Sequence, residues 1–275
     1  MQTIIRQQRD EPVISLRGVT VGYDGQTVQN RVSFDVRRGS IFAIMGASGA
    51  GKSTVLQSMI GLLRPQSGTI RVEGQDYWAL GIRERARLGR RFGVLFQSGA
   101  LWSSLTVGEN VALPLQMLTR MSKPTIRRLV ELKLALVGLN DAAELTPAQL
   151  SGGMRKRAGL ARALALDPEV LFLDEPSSGL DPAAARRLDD LIVDLREALG
   201  VTVVMVSHDL LSLFEIADDG VFLDATRATA IAFGSPAQLR DHSEDPGIRQ
   251  FMRREQPVSP AESLQELPWQ AQALV

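Results

Sequence analysis

The stretch "IFAIMGASGAGKST" (41–54) constrains the chain more than any other. An apolar run, "IFAIM", enters a loop that reads G-x-x-x-x-G-K-S, and a helix-forming segment, Ser53 to Leu63, follows it. The glycines let the backbone through Gly46, Ala47, Ser48, Gly49, Ala50 and Gly51 turn its N–H groups toward phosphate oxygens. Lys52 can then reach the outer phosphates, Ser53 is placed to coordinate Mg2+, and Thr54 completes the run. The pattern demands strand, loop and helix in that order, so the chain is expected to be layered α/β.

The rest of the chain continues the alternation. Runs rich in β-formers recur at "VISLRGV" (13–19), "FGVLF" (92–96), "VLFLD" (170–174) and "VTVVMVS" (201–207). Several are nearly continuous in apolar residues, which fits strands buried on both faces of a largely parallel sheet. Helical stretches are expected over Ala183 to Leu199 and across a long region from Val107 to Leu166. No repeat at solenoid spacing is visible. The reading is one domain over residues 13–255 with an inserted helical subdomain at 98–165, an extension at 1–12 and a tail at 256–275.

Composition narrows the function. Lys plus Arg and Asp plus Glu both number 31, so no net basic field announces nucleic acid, and no nucleic-acid partner is expected. There are no cysteines, which excludes disulfides, iron–sulfur clusters and thiolate zinc sites. The start, "MQTIIRQQRDEP", lacks the apolar core of a secretory signal, and no apolar run approaches the ~20 residues that span a bilayer. The expectation is a cytoplasmic protein whose membrane role comes through a partner.

Two other strand ends carry chemistry. "EVLFLDEP" (169–176) closes a buried strand with adjacent carboxylates, and ligands of open α/β sheets bind at that edge. Asp174 is the candidate Mg2+ partner, through water, and Glu175 the candidate base that polarises an attacking water. His208 follows "VTVVMVS", where its imidazole can hydrogen-bond a γ-phosphate, whereas His242 in "RDHSEDP" has no such context and is assigned to the surface. In "QLSGGMRKR" (149–157), Ser151, Gly152 and Gly153 put a small hydroxyl and bare N–H groups at a helix start, where the helix dipole favours an anion, though alone the string also fits a plain N-cap.

The ordered set Tyr23, "GASGAGKST", Gln97, "LSGGM", "LFLDEP", "SGLD" (178–181) and His208 resembles the nucleotide-binding subunit of an ABC transporter over roughly residues 13 to 240. The resemblance implies a P-loop NTPase with a RecA-like core, an antiparallel β subdomain and a helical signature subdomain. It implies an ATPase with ATP and Mg2+ as ligands, Tyr23 stacked on adenine, Gln97 sensing Mg2+ and the γ-phosphate, and Asp181 in a loop coupling two active sites. Taken alone, those three residues also fit a packed aromatic, a strand-end polar residue and a turn aspartate. The resemblance further implies that Ser151, Gly152 and Gly153 bind the γ-phosphate held by a second copy, hence a homodimer.

Met154 stands where most of that family has Gln, keeping length and flexibility while losing the amide. "LSGGMRKRAGLARAL" together with "LFQSGALWSSLTVGENVALPL" (95–115) is similar to the Mla/Mce group of ATPases, with Trp102 where Phe is usual. That similarity implies phospholipid transport between membranes, a peripheral position on the cytoplasmic face of the inner membrane, a membrane permease, an Mce-domain lipid-binding protein and often a small STAS-domain subunit. It makes Ala100, Leu101 and Trp102 candidates for permease contact and the Leu/Trp-containing tail a candidate docking segment. The arginine cluster "RERARLGRR" (83–91) is read as a solvated face. A transporter for another solute remains the alternative; a nucleic-acid or ribosome factor is disfavoured by the single cassette without heptads, and a non-hydrolysing binder by the presence of Lys52, Glu175 and His208.

Overall fold

The computed structural model describes residues 12–253, so the extension ahead of them and the tail at 256–275 lie outside the described residues. In chain order the strands are β1 (Pro12–Tyr23), β2 (Gln26–Arg37), β3 (Ile41–Met45), β4 (Ser67–Val72), β5 (Gln75–Asp76), β6 (Phe92–Leu95), β7 (Val170–Asp174), β8 (Thr202–Val206), β9 (Asp219–Asp224) and β10 (Thr229–Phe233). The helices are α1 (Lys52–Met59), α2 (Ile82–Gly89), α3 (Val107–Leu118), α4 (Lys123–Leu136), α5 (Gly152–Ala163), α6 (Pro182–Leu199), α7 (Leu210–Ile216), α8 (Pro236–His242) and α9 (Pro246–Arg253).

Six strands form a sheet of order β10-β9-β3-β8-β7-β6, parallel except for β10 at one edge. A four-stranded antiparallel sheet, β2-β1-β4-β5, lies against it. The apolar run of β3 is explained by the two faces it serves. Ile41, Ala43 and Met45 enter one core with α3, α4, α5 and α6, while Phe42 and Ile44 enter a second with α1 and the antiparallel sheet, Phe42 stacking on Phe34 at 5.1 Å. The same alternation splits β7, with Leu171 and Leu173 on the helical side and Val170 and Phe172 on the other.

The helical region expected from Val107 to Leu166 is three helices and a 3-10 turn at Pro147–Gln149. Local chemistry sets the breaks. Thr106 and Glu109 form a capping box on α3, Ser122 caps α4 ahead of Pro124, Gly138 just beyond α4 takes a left-handed φ of 66°, and Ser151 caps α5. The arginine cluster is only partly solvated. Arg83, Arg87 and Arg90 are exposed, but Arg85 lies 4.8 Å over Trp78, and Arg91 pairs with Glu73 and Glu169 at 2.5 Å each, tying β6 to the antiparallel sheet. His242 is exposed, at the end of α8.

Candidate functional site

Helix α1 starts without a side-chain cap. Its N-cap, Gly51, holds a left-handed φ of 75°, so the first N–H groups of the helix face the loop with no hydroxyl or carboxylate answering them. Lys52 is buried, its Nζ donating to the carbonyls of Gly46 at 3.0 Å and Ala47 at 2.9 Å. Burial pushes its pKa down, against the opposing pull of Glu175 and Asp174. Gly46 is required sterically: at φ 143°, a Cβ would sit 2.4 Å from the carbonyl oxygen of Leu223. From β2, the buried Gln29 donates to the carbonyls of Ala50 at 2.9 Å and Asp224 at 3.0 Å, bracing the loop against the antiparallel sheet.

The end of β7 meets this loop. Ser53 Oγ donates to Asp174 Oδ1 at 2.9 Å, and burial raises the Asp174 pKa, opposed by that hydrogen bond. A hydroxyl and a carboxylate side by side are hard oxygen donors of the kind Mg2+ takes while keeping water and phosphate oxygens, so these residues fit that ion. Glu175 follows with a left-handed φ of 50°, its N–H donating to Val206 O at 2.9 Å, and its carboxylate lies 2.8 Å from His208 Nδ1. Gln97, exposed just past β6, donates to Ser178 Oγ at 3.4 Å. Tyr23 ends β1 half exposed, its hydroxyl 2.5 Å from Gln57 on α1, which stands the ring beside the phosphate loop's helix.

Within one chain the candidates divide into two groups. Lys52, Ser53, Asp174, Glu175 and His208 gather at the carboxyl edge of the parallel sheet. Ser151, Gly152 and Gly153 instead line a cleft of about 530 Å³ with Met154, Gly179 and Asp181, and no phosphate-loop residue reaches it. Ser151 accepts from Met154 N at 3.2 Å and Asp181 accepts from Ala184 N at 2.9 Å, so both also serve as helix caps. Met154 is half-buried and packs on the helical core.

Several structural partners escaped the sequence reading. Asn110, fully buried, takes the Trp102 N–H at 2.8 Å and returns its amide to the carbonyls of Trp102, Leu105 and Thr106, while Arg162 grips the carbonyls of Gly99 at 3.1 Å and Ala100 at 2.6 Å. Together they fix the loop that leaves Trp102 60% exposed. Lys156 on α5 is buried, with its ammonium on two backbone carbonyls. Asp189 on α6 is buried and accepts from Ser212 Oγ on α7 at 2.6 Å.

The phosphate loop, the two strand-end acids and the signature cleft define an ATP-binding cassette. A family model described as "ABC transporter" matches residues 29–178, and the chain belongs to that family. Among curated relatives, the intermembrane phospholipid transport ATP-binding protein MlaF of Escherichia coli K12 is 40% identical over 87% of this chain and 88% of its own. The MlaF of Haemophilus influenzae is 39% identical over 90% and 92%. A probable ribonucleotide transport ATP-binding protein, mkl of Mycobacterium leprae, is 38% identical over 92% and 73%. Among solved structures, cbiO1 of Clostridium perfringens, part of the ABC transporter complex cbiONQ, aligns with TM-score 0.77 at 26% identity, covering 90% of this chain and 96% of its own. The ATP-binding cassette MJ0796, a dimer in a post-hydrolysis state with ADP and Pi, aligns with TM-score 0.73 at 30% identity over 80% and 97%. The chain is an ABC ATPase on a P-loop NTPase fold, and it hydrolyses ATP.

Proposed function

We propose that this ATPase powers phospholipid transport between membranes, as a homodimer seated peripherally on the cytoplasmic face of an inner-membrane permease that works with an Mce-domain lipid-binding protein and a small STAS-domain subunit. The observation carrying the cargo is the pair of MlaF relatives, about 40% identical over nearly the whole length of both chains. Among the described residues no helix is long and apolar enough to cross a membrane, so contact with a permease falls to surfaces such as the exposed Trp102 on its braced loop. The mycobacterial relative's name favours a second cargo, ribonucleotides.

The chemistry follows from the residues. Lys52 and the N–H groups from Gly46 to Thr54 hold the β- and γ-phosphates, and Tyr23 stacks on the adenine. Ser53 and Asp174, joined by Gln97 as the resemblance implies, would hold Mg2+, which when bound neutralises phosphate charge. Glu175 accepts the proton of the attacking water while His208, held against that carboxylate, hydrogen-bonds the γ-phosphate. Ser151, Gly152 and Gly153 of a second copy, with Asp181 alongside, close over the γ-phosphate. No residue of the same chain's phosphate loop lines the cleft that holds these three, which supports the two-copy arrangement.

The test is affinity purification of the tagged chain from gently solubilised native membranes, with mass spectrometry of proteins and lipids. Recovery of an Mce-domain protein, a permease and enriched phospholipid is expected. A different permease with a soluble solute-binding protein and no enriched lipid would overturn the cargo and leave the ATPase chemistry standing.

A further inference from the structure

We propose that Lys156 is a positioning residue for hydrolysis: its ammonium clamps the backbone at Glu175 and thereby fixes the direction of that carboxylate. The inference rests on the reading of Glu175 as the base.

Lys156 is 6% exposed, inside α5, five residues after Ser151. Its Nζ donates to the carbonyl of Glu175 at 2.9 Å and to the carbonyl of Gln97 at 2.5 Å. Burying an ammonium is costly unless hydrogen bonds replace its water, and here they come from two backbone carbonyls. Glu175 is a non-glycine residue at φ 50°, a conformation its side chain disfavours. Something must hold it there. Its N–H is committed to Val206 O at 2.9 Å, and its carbonyl accepts from Ser178 N at 3.2 Å and from Lys156. The ammonium is the one of these three ties that comes from outside the parallel sheet and its own loop, because α5 belongs to the helical subdomain. Loss of the clamp frees the Glu175 peptide to relax toward the common right-handed region, which swings the carboxylate away from His208, now 2.8 Å distant.

The test compares Lys156→Met, which keeps the stem and removes the donors, with Lys156→Gln, which restores N–H donors without charge. Each is made in the full chain purified with its membrane partner and assayed below its own melting temperature. Lys156→Met is expected to lower kcat for ATP about tenfold with KM within about twofold, since the phosphate loop is untouched. Lys156→Gln is expected to recover most of the loss. Combined with Glu175→Gln, Lys156→Met is expected to add no further loss, because both act through one carboxylate. A parental kcat in Lys156→Met overturns the clamp, as does Lys156→Gln performing no better than Lys156→Met, or full multiplication of the two losses. Hydrolysis surviving in Glu175→Gln alone would instead remove the base assignment, and the clamp with it; loss in Glu175→Gln beside a normal Lys156→Met removes the clamp alone.

Discussion

Asp189→Asn should change how stability depends on pH. Asp189 is 3% exposed, accepts from Ser212 Oγ at 2.6 Å, and has a second carboxylate oxygen, Oδ1, with no hydrogen-bond partner. Burial first, then the neighbouring Asp209 and Asp190, push its pKa up to about 6, against the lowering effects of Ser212 and Arg186. A raised carboxyl pKa means that the folded chain holds the proton more tightly than the unfolded one. The associated stability is therefore complete below the unfolded pKa and is lost as pH rises through 6. A shift of about two units corresponds to about 3 kcal/mol, of which about half is already lost by pH 5. The asparagine carries no such dependence. Whatever fixed offset the substitution introduces, the variant's stability relative to the parent should rise by about 1.5 kcal/mol between pH 5 and pH 8. Groups not coupled to Asp189 occur unchanged in both proteins and cancel in the difference. Urea unfolding at a series of pH values measures it directly. A difference that stays flat from pH 5 to pH 8 would refute the claim that Asp189 is a buried acid with a raised pKa. The result bears on function because Asp181 caps α6 and α7 follows His208, and the Asp189–Ser212 bond joins those two helices.

Glu175→Gln is expected to cut ATP hydrolysis by about 10²- to 10⁴-fold while leaving ATP binding intact and trapping a closed dimer, measurable by steady-state turnover and size-exclusion chromatography with ATP. Met154→Gln is expected to keep hydrolysis within about threefold, because the cap from Ser151 to the 154 N–H does not depend on the side chain; a collapse in turnover would show that the thioether serves this site specifically. Trp102→Glu is expected to reduce recovery of the membrane partner in affinity purification without altering nucleotide binding, since the ring is exposed and its loop is held by Asn110 and Arg162.

What could be read from the sequence was what is local in it. The phosphate loop, the Asp174–Glu175 pair and His208 each sit at the end of an apolar run whose strand character is visible in a few residues, and the sheet edge then brings them together. The antiparallel strands were less visible singly because β2 alternates polar and apolar residues and borders solvent, although "DG" at Asp24 and Gly25 marks its hairpin with β1: both residues take positive φ, 48° and 80°. Lys156, Gln29 and Arg162 were not legible for a different reason. Their partners are backbone carbonyls 59, 195 and 62 residues away for the Gln97, Asp224 and Ala100 contacts, and a carbonyl carries no residue signature. Asn110 is the exception, since it closes on residues only four to eight positions back and "WSSLTVGEN" carries that spacing.

Helix α5 shows how these hidden contacts organise the visible ones. Its 12 residues make a rod about 18 Å long. At its start Ser151 opens into the signature cleft; one turn further Lys156 holds the carbonyls of Gln97 and Glu175; in its last turn Arg162 holds the Gly99–Ala100 loop that presents Trp102. Between them Gly159 allows the loop to press onto the helix, where a Cβ would lie 3.1 Å from Gly99 O and 2.7 Å from Leu95 Cδ1. The signature, the backbone of the candidate base and the exposed Trp102 loop are thus fastened to one rigid element. A displacement of that helix cannot move the first without straining its ties to the other two, and those ties run through Lys156 and Arg162, which lie beyond the LSGGM residues themselves.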